Sequence, residues 1–147
     1  RLSDMDGFYS DQHAVKDMLL KDPIIYEVFA HENKGPGNLS YAVTVINPGD
    51  VGGEYFMTKG HFHDKDVAEI YIGLEGEGLL LMEDRKGDIK KLPLEPGLIS
   101  YVPKGYAHRS INTGSSKLKF LAIYSSDAGH DYGSIEDKGF KEKIIKK

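Results

Sequence analysis

The sequence contains no cysteine. Disulfides, thiolate zinc sites and thiol nucleophiles are therefore excluded, and any chemistry must come from histidine, carboxylates, tyrosine, lysine or a bound cofactor. The same absence points to a reducing, cytoplasmic compartment. No stretch approaches the roughly 18 apolar residues of a membrane-spanning helix, and the opening Arg1-Leu2-Ser3-Asp4 carries no apolar signal region. Basic charge is not in excess either: 19 Lys and Arg stand against 23 Asp and Glu, a net charge of -4. Neither nucleic acid nor an anionic membrane is expected as a partner. An initiator methionine is also lacking, so the chain is expected to be trimmed before Arg1, with further residues after Lys147 left open.

What is present is 147 residues, 39% of them hydrophobic. That suffices for one sizeable core and is too short for two ordinary domains, so a single domain over 1–147 is expected. Gly and Tyr are frequent, and turn-forming clusters recur every eight to twelve positions. The clearest are Asn47-Pro48-Gly49-Asp50, Glu75-Gly76-Glu77-Gly78, Arg85-Lys86-Gly87-Asp88, Glu95-Pro96-Gly97 and Asn112-Thr113-Gly114. Runs rich in β-branched, aromatic and leucine residues lie between them, which is an all-β pattern. The spacing predicts strands over Ile24–His31, Leu39–Ile46, Glu54–Thr58, Ala68–Leu74, Gly78–Glu83, Asp88–Leu94, Leu98–Pro103, His108–Asn112 and Lys117–Tyr124.

One short N-terminal helix is expected outside the sheets, with Ser10 as its cap, Ala14, Val15, Met18 and Leu19 on one face and Pro23 blocking its continuation. The tail from Ile135 to Lys147 reads as a strand or a short helix. The lysine pairs at 90–91 and 146–147 read as solvated charge, and Phe62 and Phe120 as core.

The chemistry concentrates in two segments. In Gly60-His61-Phe62-His63 an H-x-H pair on an extended chain turns both imidazoles to one face, because strand side chains alternate with period two. Glu69 opens the next strand after a short loop, and His108 follows a Pro-Lys-Gly turn later in the chain. Three imidazoles and a carboxylate form a nitrogen/oxygen donor set for a divalent first-row metal, with Fe, Mn, Ni, Co and Zn all admissible and positions left open for water or substrate. Taken singly, any of these histidines is more often a solvated side chain than a ligand; two motifs in the right order carry the argument.

Together the two segments resemble the paired motifs of the cupin superfamily. The second, Gly97-x5-Pro103-x-Gly105-x2-His108-x3-Asn112, fits in full, although Asn112 is equally a turn former before Thr113-Gly114. The first fits in its H-x-H, Glu69 and Gly76, but five residues separate His63 from Glu69, and position 55 is Tyr rather than Gly. A longer loop beside the metal site is implied. Thr58-Lys59-Gly60-His61-Phe62-His63, Ala122-Ile123-Tyr124 and Asp127 to Gly133, with Pro23-x2-Tyr26-Glu27-Val28 and Ala107-His108-Arg109, resemble the cupin-type glucose-6-phosphate isomerases found mainly in archaea.

That resemblance implies a cupin fold, a double-stranded β-helix or jelly-roll barrel, and a metal-dependent aldose–ketose isomerase of glycolysis and gluconeogenesis that acts on a sugar phosphate as a homodimer. It implies His61, His63, Glu69 and His108 as ligands of one divalent metal per subunit, iron first among the candidates. An enediol route would make Glu69 the base as well, whereas a direct hydride shift needs none. Thr44, Thr58 and the Gly60 amide would hold the phosphate, with Tyr26 and Tyr71 nearby. Tyr124, His130 and Tyr132 would line the sugar end, the last two serving proton transfer. From the residues alone, Thr44 and Thr58 are equally β-branched strand filling, and a single tyrosine is more often core or barrel filling. Two rival functions use the same scaffold: a metal dioxygenase and a non-enzymatic sugar-binding module.

Overall fold

The computed structural model describes residues 1–5 and 7–146, without the side chains of residues 136–138. Among these residues the chain forms strands β1 (Tyr26–His31), β2 (Leu39–Ile46), β3 (Asp50–Val51), β4 (Glu54–Tyr55), β5 (Glu69–Glu75), β6 (Gly78–Asp84), β7 (Ile89–Leu94), β8 (Ile99–Val102), β9 (Tyr106–Asn112) and β10 (Leu118–Ser125). Helix α1 (Gln12–Leu19) precedes them and helix α2 (Gly133–Lys138) follows. The strands assemble as a five-stranded sheet β1-β2-β10-β5-β8, a three-stranded sheet β7-β6-β9 and the small pair β3-β4. Their pairings are antiparallel. This is the all-β cupin architecture that the paired motifs implied.

Alternation produces the barrel. In β2 the side chains of Ser40, Ala42, Thr44 and Ile46 are buried while their neighbours are exposed or half-buried, the period-two signature of a strand with one face on the core. One cluster of buried apolar side chains joins both larger sheets, with Tyr71, Ala122 and Phe120 from one, Leu80 and Met82 from the other, and Phe62 beside them. Phe62 and Phe120 are core, as expected.

The outer face of the five-stranded sheet is also apolar. Its pairing register strings Phe29, Val43, Leu121, Ile72 and Ile99 into one row across all five strands. His31, Tyr41, Ile123, Ile70 and Tyr101 form the next row.

Three local expectations are corrected. Asp11, not Ser10, caps α1: its carboxylate accepts from the His13 and Ala14 amides at 3.0 Å each. Ser10 lies one residue too early and instead donates its amide and hydroxyl to the buried Glu54 at 3.0 and 2.9 Å. On the helix face, Val15 is buried but Leu19 is 39% exposed. The strand expected over Glu54–Thr58 ends at Tyr55, and the chain continues beside β9 through isolated bridges at Met57–Ile111 and His61–His108.

Of the two forms considered for the tail, the short helix is present as α2, and no strand follows it among the described residues. After α2 the tail returns as an extended segment, with Ile145 bridging Glu54 and the Lys146 amide donating to the Gly53 carbonyl at 2.8 Å. Lys90 and Lys91 are exposed and pair with Asp88 and Glu142, and Lys146 with Asp50. Lys147 lies outside the described residues.

Candidate metal centre and substrate cavity

Two strand systems bring four donors to one point. His61 and His108 are opposed across an antiparallel bridge, the His61 amide donating to the His108 carbonyl at 3.3 Å and the His108 amide returning a bond at 3.1 Å. His63 lies two residues on, and Glu69 opens β5 in the five-stranded sheet. One donor atom from each of His61, His63, Glu69 and His108 falls within 4.8 Å of the other three. Glu69 Oε2 is 3.0 Å from both His63 Nε2 and His108 Nε2.

Backbone carbonyls orient two of the rings. His63 Nδ1 lies 3.2 Å from the Val67 carbonyl and His108 Nδ1 lies 3.3 Å from the Tyr106 carbonyl. An N–H at Nδ1 leaves the Nε2 lone pair of each ring free to coordinate. The Val67 contact also gives the long 64–68 loop a function, since that loop supplies the carbonyl that fixes His63.

Whether a cation fits is answered by the polar atoms themselves. His61 Nε2 and His108 Nε2 are buried without a hydrogen-bond partner among the described residues. Native interiors rarely leave such atoms unsatisfied, and a divalent cation among them would satisfy both nitrogens and the carboxylate together. The charge states agree. Burial, then the neighbouring imidazole of His108, lowers the His61 pKa to about 2, so this ring stays neutral, as coordination of a cation requires. Burial opposes ionisation of Glu69, but the adjoining His108 and His63 rings, each 3.0 Å from its Oε2, outweigh it and hold the carboxyl at about 2.

A cavity opens over this cluster. Its wall carries His61, Glu69 and His108 together with Tyr26, Thr44, Thr58, Gly60, Tyr71, Tyr124, His130 and Tyr132. His63 stands behind the wall and joins through Glu69. The residues divide by position. Thr44 and Tyr71 are buried on inward faces of β2 and β5, and burial with the nearby Glu69 charge raises the Tyr71 hydroxyl well above its ordinary pKa. His130 and Tyr132 are exposed at the mouth and stack on each other at 5.8 Å, with His130 edge-on to His61 at 4.6 Å. Partial desolvation, then the His63 charge, lowers the His130 pKa.

Thr58 is not mere strand filling: its Oγ1 accepts from the Ser110 amide at 3.1 Å, which leaves the hydroxyl proton free to donate into the cavity. Asn112 is fully buried and works as a turn lock. Its Nδ2 donates to the Ile46 and Ser116 carbonyls at 2.9 Å each, and its Oδ1 accepts from the Gly114 amide at 3.0 Å.

Sequence reasoning missed two polar wall residues, Lys59 and Ser110, besides the apolar Val28, Phe120 and Ala122. A signal existed for Ser110, which shares the inward face of β9 with His108 by period two. None existed for Lys59.

With this geometry in view, comparison with known proteins is decisive. A model of the glucose-6-phosphate isomerase family matches residues 1–147. The chain belongs to that family. It is 50% identical over 147 residues to glucose-6-phosphate isomerase of Thermococcus onnurineus, covering 99% of this chain and 78% of that protein. It is 50% identical over 148 residues to the Pyrococcus furiosus protein of the same name, with the same coverage. Among solved structures, an oxalate oxidase superposes with a TM-score of 0.65 over 83% of this chain and 62% of that one, at 17% identity. That likeness speaks to the fold alone. The chain is therefore an aldose–ketose isomerase, and the dioxygenase and sugar-sensing readings are not favoured.

Proposed function

We propose that the cavity is the active centre for interconversion of glucose 6-phosphate and fructose 6-phosphate, with a divalent cation held by His61, His63, Glu69 and His108. The observation that carries this reading is the pair of buried, unpartnered imidazole nitrogens facing Glu69 on the wall of a cavity that also presents Thr44, Thr58 and Gly60. When bound, such a cation supplies Lewis acidity toward the carbonyl and adjacent hydroxyl of an open-chain sugar. Iron is the first candidate, ahead of Mn, Ni, Co and Zn, because a mixed imidazole and carboxylate set suits Fe(II).

The remaining work falls to the chain. The free Thr58 hydroxyl proton, Thr44 and the Gly60 amide hold the phosphate, and Tyr26 and Tyr71, protonated at neutral pH, donate from the walls. Glu69 stays ionised and, in an enediol route, is the base at the reacting carbons. His130, Tyr132 and Tyr124 surround the mouth, where ring opening moves a proton from hydroxyl to ring oxygen. A coupled isomerase assay with and without chelator tests the proposal, with activity lost on chelation and restored by a divalent metal. Full turnover in metal-free protein would refute it.

The 147 residues act as one cupin domain, working in the cytoplasm within glycolysis and gluconeogenesis. Two such chains form a homodimer. Support comes from the two apolar rows on the outer face of the five-stranded sheet, in which Phe29 is 62% exposed and Ile99 69%, and from the edge position of β1. Light scattering of the intact chain at micromolar concentration should give twice the chain mass; a monomer would exclude the dimer.

A further inference from the structure

Arg109 is an unusual neighbour for a ligand histidine. It is a guanidinium only 4% exposed, wedged near Phe8 and Phe140, whose ring centroids lie 5.8 and 4.5 Å away. No carboxylate pairs with it among the described residues; its hydrogen bonds there go to one acceptor, the Lys59 carbonyl, from Nη2 at 2.7 Å and Nε at 3.2 Å. Burial lowers its pKa to about 10, which leaves it charged at neutral pH. A buried cation spending its donors on one backbone oxygen calls for an explanation, because desolvation is costly.

The backbone supplies one. Met57 pairs with Ile111 and His61 with His108, so four steps on one side are matched by three on β9. The extra residue is a β-bulge that sets both Lys59 and Gly60 against Arg109. Gly60 has φ +77°, and a Cβ there would lie 2.7 Å from the Phe140 ring, 2.9 Å from the His108 carbonyl and 3.1 Å from Arg109 Cβ. The Lys59 carbonyl and the Gly60 amide belong to one trans peptide, so they point in opposite directions. With the oxygen gripped on the Arg109 side, the N–H faces the cavity wall to which Gly60 contributes. That amide donates no hydrogen bond among the described residues. Charge-assisted bonds to the carbonyl also polarise the peptide and strengthen its N–H as a donor.

We propose that Arg109 is a positioning residue for the substrate phosphate: it grips the Lys59 carbonyl from behind, aims the Gly60 amide into the cavity and places a buried positive charge behind the bound dianion. The inference rests on the reading that Thr44, Thr58 and Gly60 face the phosphate.

The test compares Arg109→Met and Arg109→Lys with the parent, all metal-loaded, by calorimetric titration with inorganic phosphate and by steady-state kinetics with fructose 6-phosphate. Arg109→Met should raise the phosphate Kd and the KM together by about ten- to a hundredfold, with kcat within about threefold and metal content unchanged. Arg109→Lys, which can still donate to the carbonyl, should recover part of the loss. If Arg109→Met melts earlier but binds phosphate like the parent, Arg109 is a scaffold residue and the inference fails; loss of metal along with phosphate binding overturns it too, since the residue would then act through His108. Thr58→Val in the same titration separates the two readings. If Thr58→Val weakens phosphate and Arg109→Met does not, only this inference falls. If neither does, the phosphate lies elsewhere and both fall.

Discussion

His61 and His108 stand opposite each other across one antiparallel bridge, their backbones exchanging two hydrogen bonds and their ring centroids 4.5 Å apart. The backbone pairing thus sets the spacing of two donors before any cation arrives, and Glu69 closes the site from the other sheet at 3.0 Å from His108 Nε2. Such a site loses little entropy on binding, because the sheets have already fixed its geometry.

This arrangement makes ligand loss and scaffold loss separable. Replacement of a residue that only orients a ligand typically costs about 10- to 100-fold in affinity or activity, so His61→Ala and His108→Ala should lose more than that, in bound metal and in turnover alike. Asn112→Ala should keep its metal, since Asn112 touches the Ile46, Ser116 and Gly114 backbone and none of the donors. Three hydrogen bonds, one buried and two partly buried, at about 1 kcal/mol each, with carbonyls left unpaired, predict about 2–4 kcal/mol lost stability. Metal analysis beside thermal melts distinguishes the two classes; metal loss in Asn112→Ala would contradict the assignment.

The metal-free protein should be acid-sensitive in a defined window. His61 has its pKa lowered to about 2 in the fold from an ordinary 6.5, so below about pH 6.5 the unfolded chain takes up a proton that the folded chain refuses. Stability is therefore full above that pH and falls on acidification. Glu69, lowered from 4.5 to about 2, adds a second loss as pH drops through that lower range. His63, whose pKa is raised by Glu69 against its own burial, works the other way and blunts the effect. Melting of chelator-treated protein should decline from pH 7 to 5, and His61→Gln should flatten the decline. An unchanged slope in His61→Gln would refute the assignment.

How much of this was legible in the sequence follows from one distance along the chain. Period two put His61 with His63, whose donor atoms do meet; the same alternation buries Glu69 with Tyr71 and turns Thr44 inward, although Thr44 and Tyr71 were reached through the family resemblance and not through periodicity. It fails between Thr58 and His61. Three residues apart, they would face opposite sides of an unbroken strand, yet both line the cavity. The bulge at Lys59 and Gly60 shifts the phase, and an isolated glycine in a strand does not announce which phase follows. The same defect hid Lys59. Ser10 failed as a cap for a different reason: a buried carboxylate 44 residues away, Glu54, claimed its amide and hydroxyl, and no local pattern records that.

Gly60→Ala tests the bulge directly. A positive φ disfavours alanine, and the added methyl meets ring, carbonyl and Arg109 Cβ within 3.1 Å. The expected cost is about 1–3 kcal/mol of stability, with a raised KM for fructose 6-phosphate because the amide is displaced. Metal content is measured alongside, because one of the clashes is with the His108 carbonyl that accepts the His61 amide. Unchanged KM in a destabilised variant would separate the bulge from substrate binding.

The last expectation concerns what the phosphate contributes. A dianion held by several charge-assisted hydrogen bonds, each worth about 1.5–3 kcal/mol net, would anchor one end of the sugar so that C1 and C2 reach the proposed metal centre, and part of that binding energy would orient the reacting carbons. Thr58 keeps a free hydroxyl proton because its oxygen already accepts from Ser110, and Thr44 is buried on the same wall. Valine matches threonine in shape and puts a methyl in place of the hydroxyl, which at Thr58 also removes the acceptor of the Ser110 amide. The Thr44→Val, Thr58→Val double variant should therefore lose about tenfold or more in kcat/KM for fructose 6-phosphate with metal content unchanged, since neither residue belongs to the donor set. Unphosphorylated fructose should be a poor substrate for parent and variant alike. If the double variant turns over the sugar phosphate like the parent, the hydroxyls do not reach the phosphate and the assignment of this end of the cavity is wrong.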